Sequence, residues 1–253
     1  KELKKGAHTD FDLGITSQLA DGGRYRVTIE GKDRAGNNAV VSEINDVFFD
    51  LLPPVISIDS PASGSRINLP IVTYATNEEL GEGNITFTRT GGTQDPDSPH
   101  VVNLSGQRLK QGTRYDETFE SDLQLKDGSV YSISFGAQDM AGNIATDVSI
   151  QNITFDSSAP QLSITSPLSP TFTNDLMVEY STNENLSKGV IFVERTGGPN
   201  DSSSPHEVEL ADGQLIKSSK ISLNLSQQLN LVSNAVYSIY IEGLDVAGNE
   251  GKS

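Results

Sequence analysis

The sequence is short of the residues on which cross-linked and nucleic-acid-binding proteins depend. It has no cysteine, which excludes disulfides and thiolate metal sites. Its 18 lysines and arginines are outnumbered by 34 acidic residues, giving a net charge of −16. A basic face is needed to displace counterions from nucleic acid or to approach an anionic membrane, so neither is an expected partner. No apolar run is as long as 18 residues, and the sequence therefore predicts no insertion into a membrane.

Residue patterns that carry catalysis are also missing. The sequence has no Gly-x-Ser-x-Gly elbow, no phosphate-binding loop and no histidine pair at metal-ligand spacing. Of its three histidines, His100 and His206 each follow Ser-Pro in a polar turn, and His8 stands alone. The sequence therefore predicts a protein that is not an enzyme.

What the chain does have is a repeat of fixed length. Asp33–Asn37 (DRAGN) recurs as Asp139–Asn143 (DMAGN) and as Asp245–Asn249 (DVAGN), a constant offset of 106 residues. The same offset relates two Arg-Thr-Gly-Gly segments, at 89–92 and 195–198, and two Ser-Pro-His segments. This period is too long for a solenoid, whose units span about 20–50 residues, and it is close to the ordinary size of a domain. No function can be assigned to the Arg-Thr-Gly-Gly and Ser-Pro-His segments from sequence.

The period divides the chain into three repeats. Residues 1–50 are the C-terminal part of a first repeat, residues 51–156 form a complete second repeat, and residues 157–253 form a third that lacks its last strand. We expect each complete repeat to bury one hydrophobic core.

Each repeat reads as short β-strands with almost no helix. The segment 131–137 alternates apolar residues with small or polar ones at period two, as in a half-buried strand, and its copies at 25–29 and 237–241 do the same. About seven such strands per repeat, separated by turn residues, predict an all-β fold of immunoglobulin-like (fibronectin III-like) sandwiches arranged end to end. The tyrosine that begins each of these three segments is expected to form a tyrosine corner.

The order of motifs resembles the tandem bacterial immunoglobulin-like repeats of large surface adhesins and other cell-surface proteins. The residues that carry the resemblance are the strand at 131–137, the Asp-x-Ala-Gly-Asn loop, a strand ending in Phe155-Asp156 and the linker 157–160. The resemblance implies an extracellular location, a spacer or adhesive role, and calcium at the junctions between repeats. The first linker departs from the family by carrying Leu51-Leu52, and we expect these leucines to pack between neighbouring repeats.

The fold places the candidate calcium ligands together. In an immunoglobulin-like sandwich, the B–C and F–G loops share one end with the start of the first strand, where the preceding linker also arrives. Carboxylate and amide oxygens gathered there suit a hard cation. The predicted ligands at the two junctions are Asp50, Asn77, Glu78, Asp139 and Asn143, and Asp156, Asn183, Glu184, Asp245 and Asn249.

Turn chemistry is the alternative interpretation of the Asp-x-Ala-Gly-Asn loop. Aspartate at the start of a tight turn bonds its own backbone, and Gly-Asn readily adopts positive φ, so no metal is required to explain the motif. Alternatives to an adhesin spacer are a subunit of an extracellular filament, sheath or surface layer, and an accessory carbohydrate-binding module of a secreted enzyme. The expected partners are neighbouring repeats of the same chain, with self-assembly possible through an open sheet edge.

Overall fold

A computed structural model describes residues 14–15 and 18–253. His8 lies outside this range. Seventeen strands and two short 3-10 turns, Gly106–Leu109 and Asp212–Gln214, account for its regular structure. The first and second repeats contribute β1 (Gly23–Ile29), β2 (Ser42–Phe49), β3 (Ile56–Ser60), β4 (Arg66–Ile67), β5 (Ile71–Thr76), β6 (Leu80–Gly92), β7 (His100–Asn103), β8 (Gly112–Thr118), β9 (Ser129–Asp139) and β10 (Val148–Phe155). The third contributes β11 (Leu162–Ser166), β12 (Met177–Thr182), β13 (Leu186–Gly197), β14 (His206–Glu209), β15 (Ser218–Asn224), β16 (Val236–Asp245) and β17 (Glu250–Lys252).

Two sheets face each other in each of the two longer repeats. In the second repeat a five-stranded sheet of order β4-β10-β9-β6-β7 lies against a three-stranded sheet of order β3-β5-β8. The third repeat uses the same plan, with β14-β13-β16-β17 against β11-β12-β15, while β1 and β2 form an antiparallel pair. Apart from the parallel pairing of β4 with β10, the paired strands run antiparallel. The predicted all-β, immunoglobulin-like sandwich is confirmed, and the end-to-end arrangement and repeat boundaries stay predictions.

Alternation along the strands explains the two cores. Residues of β9 switch strictly between buried and half-buried from Ser129 to Asp139, so one face of the strand enters the core. Tyr74 of β5 meets Phe135 of β9 edge to face, with ring centroids 5.1 Å apart, which joins the two sheets. The buried residues of one core lie between residues 56 and 155 and those of the other between 162 and 241.

The structure differs from what the sequence indicates in three places. The strand β6 runs to Gly92, so the segment Arg89–Gly92 continues the pairing with β9, although Gly-Gly is typical of a turn. The two-residue strand β4 was not predicted, because two residues cannot show alternation. Leu51 and Leu52 are 58% and 63% exposed, so the expectation that they pack between repeats is wrong.

Candidate cation site at the repeat junctions

Three carboxylates meet beside the first linker. Asp50 follows β2, Glu78 lies in the loop between β5 and β6, and Asp139 is the last residue of β9. One oxygen from each lies within 4.8 Å of the others. The equivalent residues Asp156, Glu184 and Asp245 form a second cluster within the same limit. The structure therefore brings together all six carboxylates that the sequence predicts, in two sets one repeat apart.

In each cluster the two aspartates destabilise the charged form of the glutamate. Burial, followed by the charges of Asp50 and Asp139, raises the pKa of Glu78. Burial, followed by Asp156 and Asp245, likewise raises the pKa of Glu184. Like charges that share a small volume favour the protonated form of one member, and a divalent cation would remove that repulsion.

The Asp-x-Ala-Gly-Asn loop is a self-bonded turn. Asp139 Oδ1 accepts hydrogen bonds from the backbone N–H groups of Ala141 (2.7 Å) and Asn143 (2.9 Å), and its Oδ2 accepts one from Asn143 Nδ2 (2.7 Å). Although burial acts to raise it, these hydrogen bonds lower the pKa of Asp139. The turn at Asp33 shows the same pattern, and at Asp245 the backbone N–H groups of Gly248 and Asn249 take these roles. The turn-chemistry interpretation is therefore correct for the loop, and it leaves the carboxylate in place within the cluster.

The four predicted asparagines contact backbone near the clusters. Asn143 Nδ2 donates to the Asp50 carbonyl at 3.1 Å, and Asn249 Nδ2 donates to the Asp156 carbonyl at 2.8 Å. The Oδ1 atoms of Asn77 and Asn183 accept the N–H groups of Val55 and Gln161, which lie just before β3 and β11. The asparagines thus fix the linker and the start of the next strand around the carboxylates. Their assignment as metal ligands stays a prediction.

The donor set fits a hard divalent cation. Calcium takes six to eight oxygens and accepts carboxylates in either a monodentate or a bidentate mode, so three carboxylates supply between three and six of its ligand oxygens. The arrangement contains only oxygen donors, which excludes the soft-ligand metals that prefer thiolate or imidazole.

The second cluster differs from the first by a nearby guanidinium. Arg66 Nη1 lies 3.3 Å from Asp156 Oδ2, and its charge also opposes the rise in the pKa of Glu184. The effective negative charge available to a cation is therefore lower at the second cluster than the carboxylate count indicates.

Two aspartates outside the predicted set hold the linkers. Asp21 Oδ1 accepts the N–H of Leu51 at 2.7 Å, and Asp127 Oδ1 accepts the N–H of Ser157 at 2.6 Å. These aspartates lie 106 residues apart in the Leu-x-Asp-Gly segments before β1 and β9. The repetition of these aspartates at the 106-residue offset was a signal available in the sequence. It does not indicate their role, because the contact partner of each lies 30 residues away and no local motif identifies it.

A buried tyrosine, aspartate and histidine form a second repeated constellation. Tyr131 accepts the N–H of Lys126 at 3.0 Å, as a tyrosine corner requires, and donates to Asp95 Oδ2 at 2.6 Å. His100 Nε2 lies 2.6 Å from the same oxygen, and the Asp95 side chain has no exposed surface. Burial raises the pKa of Tyr131.

The third repeat contains the same three side chains. Tyr237 accepts the N–H of Val232 at 2.9 Å and donates to Asp201 at 2.6 Å, and His206 Nε2 lies 2.7 Å from Asp201. The hydrogen bonds from Tyr237 and His206 lower the pKa of Asp201 to about 2. The predicted tyrosine corners are present. Each of the two histidines contacts its own aspartate, Asp95 or Asp201, and the sequence interpretation missed both aspartates.

The Arg-Thr-Gly-Gly segment has a structural role at the end of its hairpin. Arg89 donates from Nε to the Thr93 carbonyl (2.6 Å) and from Nη2 to the Gly92 carbonyl (2.7 Å). Its backbone N–H donates to Ser98 Oγ at 2.8 Å. The third repeat repeats these contacts at Arg195. The guanidinium therefore ties together the loop that carries the buried aspartate.

Across residues 14–15 and 18–253, no helix has both the length and the apolar character needed to cross a membrane.

Comparisons with known proteins reach the fold level only. No protein-family model matches the chain, and no curated protein matches it. Among solved structures, the chain is similar to the FN1–FN3 domains of chicken CNTN1 at 13% identity and a TM-score of 0.39, covering 93% of this chain and 76% of that one. It is also similar to the fibronectin(III)-like modules of Clostridium thermocellum CbhA, at 13% identity and a TM-score of 0.34, over 79% of this chain and 90% of that one.

A third similarity is to an α-L-rhamnosidase of Streptomyces avermitilis complexed with L-rhamnose. Its identity is 7% and its TM-score 0.28, and the match covers 79% of this chain but 24% of the enzyme. At such low identities and scores, none of the three similarities supports a statement about function.

Proposed function

We propose that this chain consists of non-catalytic spacer repeats from a large extracellular adhesin or cell-surface protein, in which a calcium ion at each junction stiffens the array. The observation that carries the proposal is the repeated cluster: Asp50 and Asp156 end one repeat, and each lies with two carboxylates of the next. An ion bound there would connect consecutive repeats directly.

The rest of the molecule supports a structural role. The polar constellations of each repeat, at the tyrosine corner and at the Arg-Thr-Gly-Gly segment, are fully occupied in holding loops to the sandwich. Short linkers between sandwiches are what a spacer needs to hold a distant binding domain away from a surface. The acidic net charge of −16 favours solubility and attracts divalent cations.

Calorimetric titration of the 253-residue chain with calcium after treatment with EDTA tests the proposal. We expect two sites per chain and a rise in melting temperature, because a ligand at 100 times its Kd stabilises the folded state by about 2.7 kcal/mol. Glu78→Gln should remove one site and leave the second, and Glu184→Gln should do the reverse.

The matched control is Glu82→Gln, which makes the same chemical change at an exposed position on β6. It should leave both sites intact. If millimolar calcium produces neither heat nor a higher melting temperature, the cation part of the proposal is incorrect. A loss of both sites in the Glu82→Gln protein would show that the binding is diffuse and does not belong to the clusters.

A further inference from the structure

We propose that side chains of both flanking repeats fix the backbone of each linker without a metal, so that Asp21, Asp127, Asn143 and Asn249 set the orientation between repeats. We call these side chains, together with the linker backbone that they hold, the bracket. Its role in stiffening an array rests on the proposed spacer function, but its hydrogen bonds do not depend on calcium. These residues are positioning residues, since they act by holding the main chain.

One half of each bracket comes from the repeat that precedes the linker. Asp21 accepts the N–H of Leu51 at the first linker. At the second linker, Asp127 Oδ1 accepts the N–H of Ser157 and also its hydroxyl (3.2 Å), and Asp127 Oδ2 accepts the hydroxyl of Ser158 at 2.9 Å. Hydrogen bonds to a carboxylate are roughly twice as strong as those between neutral groups, so this half is the firmer one.

The other half comes from the repeat that follows. The Asn143 side-chain amide, held in its loop by Asp139, donates to the carbonyl of Asp50. That carbonyl belongs to the Asp50–Leu51 peptide, whose N–H donates to Asp21. The same peptide is therefore held by one repeat at its N–H and by the next at its C=O. Asn249 and Asp127 hold the Asp156–Ser157 peptide in the same way.

No N–H group of the first linker is left without a partner. Leu51 donates to Asp21, Leu52 donates to Asp50 Oδ1 (3.1 Å), and Val55 donates to Asn77 Oδ1 (2.7 Å). The two residues between them, 53 and 54, are prolines, which carry no N–H and have a fixed φ. A segment with its donors satisfied and two of its φ angles locked has little freedom left to bend.

The second linker repeats the three backbone hydrogen bonds with different residues, and it has one proline, Pro160, because Ala159 replaces Pro53. Ser157 donates to Asp127, Ser158 donates to Asp156 Oδ1 (3.4 Å), and Gln161 donates to Asn183 Oδ1 (2.8 Å). The backbone hydrogen bonds are thus the same with Leu-Leu as with Ser-Ser, and the serine hydroxyls add two contacts to Asp127 at the second linker.

Amide hydrogen exchange measured by NMR on the whole chain in EDTA tests the bracket. We expect the Leu51 and Ser157 amides to be protected to a similar degree. The variant Asp127→Ser introduces the residue that the third repeat has at this position, Ser233. It should speed exchange at Ser157 by on the order of tenfold or more, since it removes a charge-assisted hydrogen bond. The Leu51 amide should not change, and Asp21→Ser should produce the opposite result.

Each variant carries its own test of folding, because exchange at the paired strands of the altered repeat, β9 and β10 for Asp127→Ser and β1 and β2 for Asp21→Ser, reports whether that repeat is intact. Asp59→Ser, at an exposed position of β3, controls for the loss of one negative charge. Small-angle scattering of the Asp21→Ser, Asp127→Ser double variant in EDTA should show a shorter maximum dimension, as expected for a freely bending array.

The proposal is overturned if the Leu51 and Ser157 amides of the natural chain exchange at unfolded-chain rates in EDTA, or if Asp127→Ser leaves Ser157 unchanged. Protection that appears only after calcium is added would also overturn the bracket while supporting the cation site. Protection in EDTA without any calcium binding would support the bracket and refute the cation site.

Discussion

Replacing Tyr131 by phenylalanine removes one oxygen from a fully buried polar group. That oxygen accepts the N–H of Lys126 and donates to Asp95, and the tyrosine is 1% exposed. The lost bond to a carboxylate contributes about 1.5–3 kcal/mol, and the bond from the N–H of Lys126, an exposed residue, contributes about 0.5–1.5 kcal/mol. We expect the second repeat to lose about 3 kcal/mol of its free energy of unfolding.

Scanning calorimetry of the whole chain measures this loss, because the second and third repeats have separate cores. A change of about 1 kcal/mol shifts the melting temperature of a domain of this size by about 4–8 °C, so the transition of the second repeat should fall by more than about 12 °C. The transition of the third repeat should stay in place, and Tyr237→Phe should move it instead.

Tyr115→Phe is the matched control, since this tyrosine is 77% exposed on β8. It should change neither transition by more than about 0.5 kcal/mol. A loss below about 1 kcal/mol for Tyr131→Phe would refute the reasoning, because it would mean that water or a neighbouring donor replaces both hydrogen bonds without cost.

Four further predictions follow from single residues. Gly92→Ala should destabilise the second repeat by about 3 kcal/mol, as measured by urea unfolding, because φ is +66° and the added Cβ would lie 2.1 Å from a backbone carbonyl oxygen. Gly142→Ala, at φ +93° with open space around it, should cost about 1–2 kcal/mol. The pKa of Asp201 in the folded state is about 2, against an ordinary value of 3.8, so its stabilisation is present above pH 3.8 and is lost as the pH falls toward 2. Asp201→Asn should therefore make the midpoint of urea unfolding less dependent on pH over that range. If the second cluster binds calcium, Arg66→Gln should tighten that site several-fold in calorimetry without changing the first.

The sequence predicted the features that depend on period and alternation. The fixed offset of 106 residues identified the repeats, and alternation within each repeat located its longer strands. Because loop order in this fold determines which loops share an end, the meeting of Asp50, Glu78 and Asp139 could also be predicted.

The missed residues have distant or unpatterned partners. Asp95 bonds to Tyr131 at a separation of 36 residues, and Asp21 bonds to Leu51 at a separation of 30. Aspartate in a polar turn has a sufficient local explanation in turn chemistry, so nothing in the sequence indicates that it also reaches another element. The role of Arg89 was missed for a different reason, since its guanidinium bonds main-chain carbonyls, at Gly92 and Thr93, and main-chain acceptors leave no pattern in the sequence.

The bracket at each linker also determines how the array can change length. Its aspartate and asparagine recur one period further along the chain, so insertion or deletion of a whole multiple of 106 residues rebuilds both halves at each join where the preceding copy has the aspartate. A change by any other number of residues would separate a linker from the side chains that hold it. A join that follows a copy with serine in place of the aspartate, as at Ser233, would retain only the asparagine half and would be the point at which a lengthened array bends.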